Sequence, residues 1–312
     1  MAKAMKAFTA KFIEETPDYQ NILLYSDYGA GKTTLAATSL FVPDMCDILF
    51  VSLESGEKAL RQVARWAKQK GIDPNRLLVI PVETFQQYAQ VYEFLKIHLD
   101  ARDRNDLNTL RALEAQIRNL PMDIRQNPEL LAEAVPNPLK FRTVIVDSLS
   151  EAQKYCMYQV LGIDPATQRI DEEPDKAEWT DWGHSREMIQ FLVRRLRDLP
   201  INAIFTAGEA IDKDNKNIFH YDVALPGKLA GDVRGLVDTV GYILEGTDPV
   251  SGAPVRRLIL KAGTYMGTKE IKAKNRYGDN LKQNWIDNPT MYDLYNLGKL
   301  EQENGKQKES EK

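Results

Sequence analysis

The chain has 312 residues, 43% of them hydrophobic and 28% charged, with a net charge of −4. That mix is globular with room for a sizeable core, and it excludes a globally basic nucleic-acid coat. The lysine-bearing start has no long apolar run, and no stretch reaches the roughly 20 apolar residues of a membrane span, so neither a signal peptide nor a membrane anchor is expected.

In chain order, residues 22–25 form a short apolar strand, and helical character follows over 32–41. "DILFVSLES" is a second buried strand. A helix over 57–70 carries Leu60, Val63, Ala64 and Ala67 on one face. "RLLVIPV" is a third strand, and Thr84 caps a helix whose inward face is Tyr88, Val91, Tyr92 and Leu95. Strand and helix at this spacing predict an α/β fold, a mostly parallel sheet with helices on both faces. The stretch over about 100–140 breaks the rhythm with polar helices and prolines at 121, 128, 136 and 138, and reads as a helical insertion. "FRTVIVDS" restores the sheet. Helices follow over 151–161 and 183–199, the second with Met188, Phe191, Leu192, Leu196 and Leu199 inward, and a polar excursion over 164–181 precedes it. "NAIFTAG" is a strand, and "DTVGYILE" and "RRLILKA" are late strands, some of them antiparallel. The expected organisation is one domain over 1–298 and a polar, disordered tail over 299–312.

The chemistry starts at "SDYGAGKTT", Ser26 to Thr34. It matches the second half of G-x-x-x-x-G-K-[ST], with Ser26 in place of the first glycine. Gly29 and Gly31 let the backbone wrap tightly, so that the N–H groups of Tyr28, Ala30 and their neighbours face phosphate oxygens. Lys32 reaches the β and γ phosphates of ATP, the Thr33 hydroxyl ligates Mg2+, and Thr34 continues the cradle into the helix. Asp147 ends the buried strand "TVIVD", where a carboxylate faces the ligand crevice and can hold the metal. Glu54 ends "VSLE", where a carboxylate can orient the attacking water. Glu57 is its rival, at a helix start where an acid is favoured for ordinary reasons. Cys46 and Cys156 form no C-x-x-C motif, and no cysteine–histidine cluster has zinc spacing. A reducing, cytoplasmic setting is expected.

Taken in order, "GAGKTT", "VSLES", "VIVDS", "IFTAGE" and "IKAKNRYG" resemble the RecA-like P-loop ATPases. Among these are helicases of the DnaB type, KaiC-type ATPases and phage-encoded ATPases that assist single-strand annealing and recombination. The resemblance spans roughly 20–280. It implies a RecA-like P-loop NTPase fold, Mg2+-dependent ATP hydrolysis and a catalytic glutamate at Glu54. It also implies a sensor group at the end of "IFTAGE", where Thr206 and Glu209 stand in place of the usual glutamine. Lys274 and Arg276 are similar to the K-x-R pair that such subunits push into a neighbour's phosphate site, which needs a homo-oligomer, a ring or filament. The long charged stretch over 209–235 stands where the family's loop touches single-stranded DNA.

Alternatives stay open at several of these places. From Arg256 to Lys282, eight basic residues against Glu270 and Asp279 give a net charge of +6. That stretch reads as a trans-acting finger, a DNA backbone contact or a solvated face. Phe219 and Tyr221 are base-stacking candidates or core anchors. His98, His184 and His220 form no metal constellation. The function expected is ATP hydrolysis coupled to single-stranded DNA in recombination, annealing or replication. The alternatives are an oligomeric ATPase switch, loader or assembly factor, and a small-molecule kinase.

Overall fold

The computed structural model describes residues 19–54, 56–165, 167, 176–248, 251–277, 281 and 283–298. The expected polar tail and much of the excursion over 164–181 lie outside the described residues. Buried apolar runs build the central strands β1 (Asn21–Ser26), β2 (Ile48–Ser52), β3 (Leu77–Pro81), β4 (Thr143–Asp147) and β5 (Asn202–Lys213). They pair in parallel in the order β1-β5-β4-β2-β3. On the other flank β7 (Thr239–Thr247) runs parallel to β1. The antiparallel strands β8 (Pro254–Ile259) and β11 (Trp285–Asp287) close that edge.

Alternate residues along each strand face opposite ways, so every strand serves two cores. Ile22, Leu24, Ile48, Phe50, Ile145 and Ile204 face one way. Against them pack α1 (Lys32–Ala37), α2 (Glu57–Gln69) and a helix over 291–298. Leu23, Tyr25, Leu49, Val51, Val144 and Val146 face the other way. That side is covered by α3 (Phe85–Asp103), α7 (Leu149–Val160), α8 (Trp179–Arg197) and α9 (Leu229–Leu236). The helix that Thr84 caps forms as expected: its side chain accepts from Gln87 N at 3.2 Å.

Between α3 and β4 lie α4 (Leu107–Ile117), α5 (Met122–Gln126) and α6 (Pro128–Ala134). Ala115, Leu131 and Val135 give them a small core of their own. Two buried acids fasten the stretch after α6, one to α4 and one to the start of β2. Glu114 accepts from Leu139 N at 2.7 Å, and Asp47 from Lys140 N at 2.7 Å and Arg76 Nε at 2.7 Å.

The structure corrects two expectations. Much of the stretch read as a long loop over 209–235 is ordered: β5 extends to Lys213 and pairs with β6 (Phe219–Val223) as a hairpin, and α9 follows. A second small sheet continues through β10 (Lys269–Ile271) to β9 (Gly263–Tyr265). Phe191 is exposed rather than inward. The buried stripe of α8 is Ser185, Ile189, Leu192, Val193 and Leu196, and Arg195 covers the Phe191 ring at 4.2 Å.

Candidate functional site

β1 ends at Ser26, and the chain turns through 27–31 before α1 opens at Lys32. Gly29 and Gly31 have φ of 79° and 98°, in the left-handed region where glycine costs least. Ser26 and Ala30 are buried, whereas Tyr28 is 79% exposed, with its ring 5.8 Å from Lys32 Nζ. Lys32 is buried and curls into the turn, donating to Ser26 O at 3.0 Å and Asp27 O at 2.8 Å. Burial lowers its pKa, and the charges of Glu54, Asp147 and Asp27 pull the other way. Thr34 is half-buried one residue further along α1 than Thr33.

Thr33 Oγ1 donates to Asp147 Oδ2 at 2.8 Å, joining the start of α1 to the end of β4. Asp147 Oδ1 accepts from the Thr206 hydroxyl on β5. Burial pushes the Asp147 carboxyl above the usual carboxylate range, while the Thr206 and Thr33 hydroxyls and the Lys32 charge hold it down. A carboxylate so placed gains from any cation that reaches it.

Thr33 and Asp147 suit Mg2+, which takes hard oxygen ligands and keeps waters and substrate phosphates for the rest of its shell. Glycine at position 56 keeps a side chain away from the pair. A Cβ on Gly56 would stand 3.4 Å from Asp147 Oδ2 and 3.9 Å from Thr33 Oγ1. Among the described residues no group of three or more His, Cys, Asp or Glu gathers for a metal, as a site completed by phosphates does not need one.

Glu54 stands just past β2. Its backbone N donates to Asp147 O at 3.2 Å, and its carboxylate accepts from the Ser148 hydroxyl. Ser148 also caps α7, accepting from Glu151 N at 3.4 Å. Ser148 is a neighbour that the spacing of the motifs did not mark. The rival Glu57 opens α2, but its side chain lies outside the described residues. Of the two sensor candidates, Thr206 meets Asp147, while Glu209 accepts from Tyr242 OH at 2.8 Å.

Lys274 and Arg276 are not brought to this site within the chain. Lys274 bridges to Val240 near the start of β7 and donates from Nζ to Arg234 O at 2.9 Å. Arg276 pairs with Asp238 at 2.9 Å, and Asp238 also holds Asn21, the first residue of β1. The phosphate turn follows the other end of β1, five strand steps or roughly 17 Å away. Sequence reasoning missed a closer cation. Arg256 on β8 lies against Gly31, a contact that only the pairing of distant strands creates.

The glycine turn, its lysine and threonine, and an aspartate on a strand of the same parallel sheet define a P-loop NTPase of RecA-like architecture. The chain belongs to the AAA domain family, whose sequence model matches residues 18–277. Among solved structures it is similar to the RadB recombinase, at 15% identity and a TM-score of 0.36, over 77% of this chain and 79% of that one. It is also similar to the flagellar accessory protein FlaH from Methanocaldococcus jannaschii, at 14% identity and a TM-score of 0.35, over 87% of this chain and 85% of that one. No curated protein matches the sequence.

Proposed function

We propose that this site binds ATP with Mg2+ and hydrolyses it, and that turnover is coupled to single-stranded DNA in an oligomer working in recombination, annealing or replication. One observation carries the reading. The 2.8 Å contact between Thr33 and Asp147 joins the phosphate turn to a carboxylate 114 residues away, with Lys32 and Glu54 beside it. Lys32 exchanges its carbonyl partners for the β and γ phosphates, and the backbone N–H groups of the turn supply further donors. Thr33 and Asp147 would hold Mg2+, which when bound would supply charge neutralisation at the phosphates. Glu54 orients a water, whose oxygen attacks the γ phosphorus as the bond to ADP breaks. The water's proton passes to the carboxylate. Ser148 fixes the carboxylate for that task.

The second reading is an oligomeric switch, loader or assembly factor without strand activity. The hairpin favours it. Tyr221 is buried, and its ring carries Lys269 at 5.2 Å, while Lys213 lies 5.3 Å from the Phe219 ring. Acids Asp212, Asp214, Asp222 and Glu270 share these strands and their turn, so the surface is not strongly basic. Turnover measured with and without Mg2+ and single-stranded DNA, beside a size measurement, separates the readings. The first predicts Mg2+-dependent hydrolysis that DNA accelerates. Hydrolysis indifferent to DNA, in a nucleotide-dependent oligomer, selects the second.

A further inference from the structure

Arg256 lies over Gly31, close enough that a side chain there would press on its guanidinium. A Cβ built there would meet Arg256 Cζ and Nη1 at 3.2 Å and Nε at 3.4 Å. The backbone of Arg256 is held at both polar groups by Asn288: its N donates to Asn288 Oδ1 at 3.1 Å, and its O accepts from Asn288 N at 2.6 Å. Across the strand pair it faces Glu245, with Nε 3.6 Å from Oε1. That contact is long for a hydrogen bond, and the two side chains are 49% and 60% exposed. No other carboxylate meets the guanidinium among the described residues.

An arginine with so loose a counter-ion would ordinarily turn to water. Here it lies on a turn whose glycines and Lys32 already concentrate positive potential. Lys32 has the charges of Glu54, Asp147 and Asp27 near it, whereas Arg256 keeps only its long contact to Glu245, so a bound anion would add most at Arg256. The sheet order puts Arg256 and the acidic residues of the site on opposite flanks of β1. Asp147 and Glu54, which serve the γ end, stand on the β5-β4-β2 side of β1. Arg256 approaches from the β7-β8 side, the opposite flank.

We propose that Arg256 is a nucleotide-binding residue that leaves Glu245 to contact the phosphate nearest the nucleoside. The site then grips nucleoside di- and triphosphates alike from this flank. This rests on the phosphate-turn reading above.

Calorimetric titration of ATP and ADP into the full chain and its Arg256→Ala variant tests it. The variant is expected to bind both nucleotides about tenfold more weakly, by a similar factor, as loss of one charge-assisted contact requires. Glu245→Gln, which removes the competing carboxylate, tightens both. Unchanged affinity in Arg256→Ala overturns the proposal, and so does a loss confined to ATP, which would place the guanidinium at the γ end. Should the alanine variant fail to fold, Arg256→Gln keeps the stem, lacks the charge and carries the same expectations. A Lys32→Ala control keeps the two claims apart: if it binds ATP as the parent does, the phosphate-turn reading falls. If it loses ATP while Arg256→Ala does not, only the Arg256 assignment falls.

Discussion

The Ser148 hydroxyl gives one carboxylate oxygen of Glu54 a partner, and the proposed role of the residue as a base rests on its other oxygen. Glu54→Gln keeps an acceptor for Ser148 and loses the base. It is expected to retain ATP affinity while turnover slows by at least about 10²-fold, the lower end for general-base work. Binding and steady-state turnover measured on the same preparation check this, and normal turnover would move the role to another carboxylate, Glu57 first. At this scale the sequence was most informative where one contiguous stretch makes the site. The turn from Ser26 to Thr34 needs only its own glycines, and both take the left-handed backbone that the spacing implies. Thr206 reaching Asp147 and Arg256 reaching Gly31 depend on which strands pair, and no local pattern encodes that.

Elements read well where burial is two-sided. The central strands are apolar runs because each faces helices on both sides, and such runs stand out in any sequence. The hairpin of β5 and β6 did not, because charged residues line its open face and only Tyr221 and Val223 of β6 enter the core. The helices after α3 were legible as helices, but not their attachment. His98, buried on α3, donates from Nε2 to Leu139 O at 3.0 Å and stacks on Phe141 at 4.6 Å. Burial pushes its pKa down to about 4. The unfolded chain takes up that proton near pH 6.5. A depressed folded-state pKa therefore gives stability that is present above pH 6.5 or so and lost as pH falls toward and through about 4. Urea midpoints of the parent and of His98→Phe across this window are expected to converge in their pH dependence only above it. The parent loses stability more steeply on acidification. Parallel curves would show that the imidazole is not held neutral.

For the whole molecule, Lys274 and Arg276 stand apart from the phosphate turn of their own chain, and the proposal for them is service to a neighbour's nucleotide, with a DNA backbone contact and a solvated face as the alternatives. Arg276 is 67% exposed despite its pair with Asp238, as the proposed trans action requires. Arg276→Ala is expected to lower turnover. Mixed with Glu54→Gln in exchanging oligomers, it should restore activity above either variant alone, because some sites then join a sound glutamate to a sound neighbouring arginine. No recovery in demonstrably mixed oligomers would count against trans action.

The proposed nucleotide chemistry depends on the turn from Ser26 to Thr34 holding phosphates, and Lys32 is its one buried cation. The direct measurement is calorimetric titration of Mg2+-ATP into the parent chain and Lys32→Ala, with thermal melting of both to confirm the fold. Saturable binding by the parent and loss of productive binding in the variant are expected. Equal affinity in two folded proteins would contradict the phosphate-turn reading.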